Sequence, residues 1–117
     1  MATSEPQRTT PGLTAFRAEA RPVVDDTGEV VVEGEIDVAT APQLREALHQ
    51  VLDKGATRLR IDLGEVGFID SAGLGVLIGV LKRIREVGGE IELVHVQPAP
   101  RKVIEITGLD ELFALTD

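Results

Sequence analysis

Residues 58–96 read RLRIDLGEVGFIDSAGLGVLIGVLKRIREVGGEIELVHV, and this stretch decides the fold class. At its start, Leu59, Ile61 and Leu63 alternate with Arg58, Arg60 and Asp62, the two-residue period of a strand with one buried face. From about Ala72 to Val87 the period changes. Leu74, Leu77, Ile78, Leu81 and Ile84 recur at helical spacing, and Gly88-Gly89 supplies the stop. Ile91 to Val96 returns to a strand. Strand, helix, strand predicts a right-handed crossover between parallel neighbours.

Upstream, Leu13 to Ala18 alternates weakly and reads as a strand; Asp25-Asp26-Thr27-Gly28 is a turn signal, and the Val-rich Glu29 to Glu33 is the return strand of an antiparallel hairpin. Gly34-Glu35-Ile36-Asp37 leaves that strand. Thr40 stands as an N-cap with Gln43 three residues later, the spacing of a capping box. Leu44, Ala47, Leu48, Val51 and Leu52 form the apolar face of the helix that follows, and Gly55 ends it. Downstream, Pro98 and Pro100 break the chain, a short helix spans Arg101 to Thr107 before Gly108, and Leu112 to Leu115 reads as a last short strand or a helical turn. The expected architecture is α/β: a mixed sheet of four or five strands, with helices packed mainly on one face. Residues 1–11 are polar and are expected to form a flexible tail, leaving residues 12–117 as one domain.

The bulk composition excludes several function classes. The chain has 117 residues, enough for one domain with a core of its own. With three Phe and no Tyr or Trp, that core must be built from Val, Leu and Ile, and stacking platforms for single-stranded nucleic acid are not expected. A formal net charge of −8 with no basic stripe argues against nucleic acid as a partner. The densest basic cluster, Lys82, Arg83 and Arg85, reads as a solvated helix face. Absence of cysteine removes disulfides and thiolate metal sites. No apolar run approaches the ~18 residues of a membrane span, and Met1 to Pro11 has no signal-peptide hydrophobic region, so a cytoplasmic location without membrane contact is expected.

One segment conflicts with local rules. Phe68-Ile69-Asp70-Ser71-Ala72-Gly73-Leu74-Gly75 puts two glycines in the first turn of an apolar helix, with Gly79 further on. Each costs ~1 kcal/mol relative to Ala. Gly75 and Gly79 lie four apart and share a face, which would admit another backbone, either this domain's sheet or a partner's helix. Ser71 occupies the N-cap position, and the plain reading is that it satisfies helix N–H groups. The same position tolerates a phosphate, because a helix N-terminus favours negative charge. A phosphate adds about −1.5 to −2 charges. Two unit charges ~4 Å apart repel by roughly 4 kcal/mol at an effective dielectric of ~20, about three decades of affinity. A carboxylate on a partner opposite Ser71 would therefore make binding switchable without refolding. Asp70 is adjacent, and Asp37 lies close if the two loops share a sheet edge.

Catalytic readings are weaker. Gly73-Leu74-Gly75 lacks the Lys-Ser/Thr of a P-loop and the third glycine of a dinucleotide fingerprint. The surroundings of Ser71 are not Gly-x-Ser-x-Gly, and the two histidines, His49 and His95, read as structural or solvated. Asp25-Asp26 sits in a turn. No carboxylate/His cluster has metal-ligand spacing.

With those residues in hand, residues 13–115 resemble the STAS domain family, in particular the bacterial anti-sigma factor antagonists. The resemblance rests first on Ile69-Asp70-Ser71-Ala72-Gly73-Leu74-Gly75-Val76-Leu77, which is similar to the family's phosphorylation motif. It rests next on Gly34-Glu35-Ile36-Asp37 with Thr40 and Ala41, then on Gly88-Gly89 and Thr107-Gly108-Leu109, in the family's order and spacing. The resemblance implies a STAS fold and a protein that is not an enzyme and carries no cofactor. It implies that the unphosphorylated form binds an anti-sigma factor with serine kinase activity, freeing a sigma factor for transcription. That kinase, which uses ATP, phosphorylates the serine matching Ser71, and a PP2C-type phosphatase reverses the step. Asp37, Asp70, Ser71, Gly73 and Leu74 are the partner-binding positions expected from the motif and the segment around it. Two departures stand out: Ala72 replaces a second hydroxyl residue common in the motif, and the chain stops soon after Leu115, where the family often carries another helix. The alternative is a scaffold STAS module of a stress-signalling assembly or of a membrane transport system.

Overall fold

The computed structural model describes residues 15–116, so the expected tail at residues 1–11 and the start of the strand expected from Leu13 lie outside the described residues. In chain order the elements are β1 (Arg17–Ala20), β2 (Thr27–Glu33), α1 (Ala41–Asp53), β3 (Arg58–Glu65), α2 (Ser71–Arg85), β4 (Glu90–Val94), α3 (Pro98–Ile106), a 3-10 turn (Leu109–Glu111) and β5 (Ala114–Thr116). The five strands form one sheet in the order β1-β2-β3-β4-β5; β1 is antiparallel to β2 and every later pair is parallel. Each parallel crossover steps to the next strand in the same direction, and crossovers of one hand then place their helices on one side of the sheet.

Burial follows that layout. Val30 and Val32 of β2, Leu59, Ile61 and Leu63 of β3, and Ile91 and Leu93 of β4 point into the core beneath the helices. Their alternates (Glu29, Arg58, Arg60, Asp62, Glu90 and Glu92) line the open face. The anticipated face of α1 is buried in full. On α2 the buried arc is Gly73, Leu74, Val76, Leu77, Val80, Leu81 and Ile84, while Ile78 is only partly buried at its margin. Each fully buried Val, Leu or Ile contributes about 1.5–3 kcal/mol relative to an exposed one, so a core without Tyr or Trp suffices.

Several local expectations are corrected. The hairpin turns one residue early: Val24 and Thr27 exchange backbone hydrogen bonds of 3.0 and 2.9 Å, and Asp25 and Asp26 take φ of 52° and 66°. Aspartate tolerates this left-handed geometry, which a two-residue hairpin loop requires. Gly28 is therefore a strand residue, buried against Val51 of α1. Pro98 and Pro100 start α3 rather than precede it, because the missing proline N–H falls where a helix has no acceptor to lose. His95 does not continue β4; its φ of 59° ends the ladder at Val94. Of the two forms expected for Leu112 to Leu115, the strand is the one observed, as Ala114–Thr116, and the helical turn lies before it at Leu109–Glu111.

Candidate functional site

The candidate site lies beyond the C-terminal ends of β2 and β3, where α1 and α2 begin. Gly34, at φ 101°, turns the chain off β2, and its N–H donates to the Glu65 carbonyl (3.0 Å). Two residues on, a parallel bridge pairs Ile36 with Ile69. The Ile36 N–H donates to the Phe68 carbonyl (2.9 Å), and the Asp70 N–H donates to the Ile36 carbonyl (3.1 Å). This clip brings the Asp37 loop and the Asp70-Ser71 segment to one edge, the juxtaposition that a shared sheet edge requires.

The start of α2 corrects the expected role of Ser71. The N-cap is Asp70, in extended conformation (φ −115°, ψ −170°); its Oδ1 accepts from the N–H groups of Ala72 (2.9 Å) and Gly73 (3.3 Å). Ser71 is the first helical residue, exposed, and its hydroxyl makes no hydrogen bond among the described residues. Capping is thus done by the preceding carboxylate, which leaves the serine oxygen free for chemistry.

The expected capping box at α1 is also replaced. Thr40, the residue before α1, already has helical backbone angles (φ −99°, ψ −16°) and makes no side-chain cap to the helix. Its hydroxyl turns back into the loop, donating to the Glu35 carbonyl (2.8 Å) and accepting from the Asp37 N–H (2.9 Å). The Asp37 Oδ1 in turn accepts from the N–H groups of Ala39 (2.9 Å) and Thr40 (3.1 Å). Residues 35–40 are closed into a compact turn by two side chains.

Of the five positions expected to meet a partner, Asp37, Asp70 and Ser71 come together on this edge. Gly73 and Leu74 do not reach the surface. Leu74 is in the core, and a Cβ on Gly73 would stand 2.4 Å from Ile36 Cγ2 and 2.7 Å from Ile69 Cγ1. Their residue types serve the close seating of α2 on the clip. Gly75 and Gly79 are exposed with nothing within 4 Å, so the sheet is not what approaches them. Reading the sequence alone missed two surface residues, Val38 (77% exposed) and Phe68 (45% exposed), which flank the clip. Neither sits in a periodic segment, so no pattern separates them from core residues.

The histidines are engaged elsewhere. His49 Nδ1 lies 2.9 Å from Arg83 Nη1, and Arg83 also pairs with Asp53 (2.6 Å), joining α1 to α2. The basic cluster is thus partly structural, since Arg85 also donates to the Leu112 carbonyl. His95 Nδ1 lies 3.2 Å from Asp62 Oδ1. Neither histidine hydrogen-bonds Ser71. A shallow depression of about 380 Å³ lies on the open sheet face, at the opposite ends of the strands, lined by residues such as Arg58, Arg60, Glu90 and Glu92. No helix among the described residues is long and apolar enough to cross a membrane.

Comparison with known proteins points the same way as the motif. The chain is 40% identical over 87 residues to the anti-sigma-B factor antagonist of Listeria monocytogenes, covering 74% of this chain and 76% of that one. An anti-sigma factor antagonist from Mycobacterium paratuberculosis superposes with a TM-score of 0.77 at 34% identity, covering 87% and 86% of the two chains. SpoIIAA of Bacillus, solved in the phosphorylated form, superposes with a TM-score of 0.66 at 27% identity, covering 88% and 92%. The sequence pattern of the STAS domain family matches residues 19–117, and the chain belongs to that family.

Proposed function

We propose that this chain is a cytoplasmic anti-sigma factor antagonist, acting by binding rather than catalysis. Its unphosphorylated form binds an anti-sigma factor with serine kinase activity and so frees a sigma factor. Phosphorylation of Ser71 by that kinase ends binding, and a PP2C-type phosphatase restores it. The observation that carries this reading is the free, exposed Ser71 hydroxyl at the first position of α2, uncoupled from capping by Asp70. Its likeness to antagonists, one of them a phosphorylated form, supports the same assignment.

The Ala72 and Gly73 N–H groups are already taken by Asp70. A phosphate on Ser71 therefore projects toward a partner instead of being absorbed into the helix end, and it adds charge beside Asp70 and Asp37. The test is a paired capture from the source cell's lysate with wild type and Ser71→Asp as baits. The expected outcome is an ATPase-fold serine kinase held by wild type and lost by Ser71→Asp, with affinity lower by about three decades. The two baits should share one circular-dichroism melt. Equal capture of that kinase by both baits would refute the electrostatic switch. Capture by both of other STAS proteins or transport subunits would favour a scaffold.

A further inference from the structure

We infer that Thr40 is a positioning residue for partner binding, and that its hydroxyl holds Val38 out as the apolar anchor beside Ser71. This rests on the function proposed above. Val38 sits at the apex of the 35–40 turn and is 77% exposed, more than any other large apolar side chain among the described residues. An exposed valine has no value to the fold, yet the turn that presents it is locked twice. The Thr40 hydroxyl spans the Glu35 carbonyl and the Asp37 N–H, and Asp37 Oδ1 holds the Ala39 and Thr40 N–H groups. All hydrogen bonds to the Asp37 carboxylate fall on Oδ1; Oδ2 accepts none among the described residues and is left for an outside donor.

The surroundings define the partner's chemistry. Phe68, 45% exposed, precedes Ile69 on one side of the Ile36–Ile69 bridge, and Val38 follows Ile36 by two residues on the other. Glu35 and Asp37 share the turn with Val38, Glu65 and Asp70 lie within three residues of Phe68 in the chain, and residues 34–40 and 64–75 contain no Lys or Arg. Two apolar side chains in an acidic frame fit a kinase surface that offers an apolar pocket with cationic side chains toward Glu35 and Asp37 and, opposite Ser71, the carboxylate that the switch requires. Without the Thr40 hydroxyl, the Asp37 N–H and the Glu35 carbonyl lose their partner, and the turn loses the geometry that aims Val38 and Oδ2 together.

The experiment uses the full chain and the purified serine kinase that wild type captures. Thr40→Val removes the hydroxyl while keeping the shape; Thr40→Ser restores it. Amide exchange of Asp37, read by NMR on the free chain, is expected to quicken about tenfold in Thr40→Val and to recover in Thr40→Ser. The kinase Kd should rise about tenfold in Thr40→Val and stay within about twofold of wild type in Thr40→Ser. Val38→Ala should weaken binding about tenfold with an unchanged melt. A wild-type Kd in Thr40→Val, or in Val38→Ala, overturns this inference alone. Failure of any serine kinase to bind wild type overturns the proposed function and this inference together, while the exchange rates still report whether Thr40 holds the loop.

Discussion

The two long helices begin with the same residue types, the aspartates used alike and the hydroxyls in opposite ways. At α2 an aspartate precedes a hydroxyl, the aspartate caps, and Ser71 is released to solvent. At α1 an aspartate again precedes a hydroxyl, but Asp37 stands three residues earlier and Thr40, just before the helix, already has helical backbone angles. There the hydroxyl is consumed within the loop, while the carboxylate, as at α2, accepts two N–H groups on Oδ1 alone. A hydroxyl at a helix start is therefore not a cap by residue type. Whether it is available for chemistry depends on which neighbour has already satisfied the helix N–H groups.

The two helix starts touch at Gly73, and the largest stability effect should come from there. A methyl group at Gly73 meets Ile36 from the α1 entrance and Ile69 from the α2 entrance, both β-branched and stiff. Gly73→Ala is expected to destabilise by about 2–3 kcal/mol despite its better helix propensity, read as a lower urea midpoint. A neutral result would mean the clip has room to shift, and the two entrances would not be rigidly coupled. Next in size is the division of labour at α2. Asp70→Ala should cost about 1 kcal/mol, whereas Ser71→Ala should stay within about 0.5 kcal/mol. The reverse ranking would return the cap to Ser71 and remove the basis for its free hydroxyl. Of similar size and opposite sign, Gly79→Ala should stabilise by about 0.8–1 kcal/mol, because nothing stands within 4 Å. If kinase affinity falls while stability rises, the bare strip on α2 belongs to the contact surface; an unchanged Kd removes it.

The fold was legible wherever one period ran uninterrupted. Arg58 to Leu63 alternates without a break, Leu44 to Leu52 keeps a helical face, and the two elements stand where those periods put them. Errors gathered at ends, where a single backbone angle overrides pattern. His95 stops β4 through a left-handed φ that no residue preference announces, and Pro98 and Pro100 look like breakers until their position in the first turn is known. At the site, Asp37 and Ser71 were legible as residue types, but their geometry depends on the Ile36–Ile69 bridge between segments 33 residues apart in the chain. Val38 and Phe68 carried no signal, since an apolar residue in an aperiodic loop reads alike whether buried or exposed.

Glu92 sharpens the same contrast from the far side of the molecule. It sits on the open sheet face, on the strand next to Arg60, and its carboxyl lies below its ordinary value of 4.5. The main cause is the Thr116 hydroxyl, which donates to Oε2; partial burial opposes it, and Arg60, 3.4 Å from Oε1, adds to the lowering. A carboxyl lowered in the folded state stabilises above its unfolded pKa, and that contribution is lost as pH falls through the folded pKa. Glu92→Gln should therefore be slightly less stable than wild type at pH 7, and the gap should close in the acid range below 4.5. Because the side chain is 35% exposed, this is the smallest of the effects. Thermal melts of the two proteins from pH 7 to 3 provide the check, with kinase affinity measured beside them at pH 7. A gap that persists unchanged into acid would mean that the Thr116 contact does not depend on charge. A changed affinity would mean that the open face, and not only the edge carrying Asp37 and Ser71, takes part in binding.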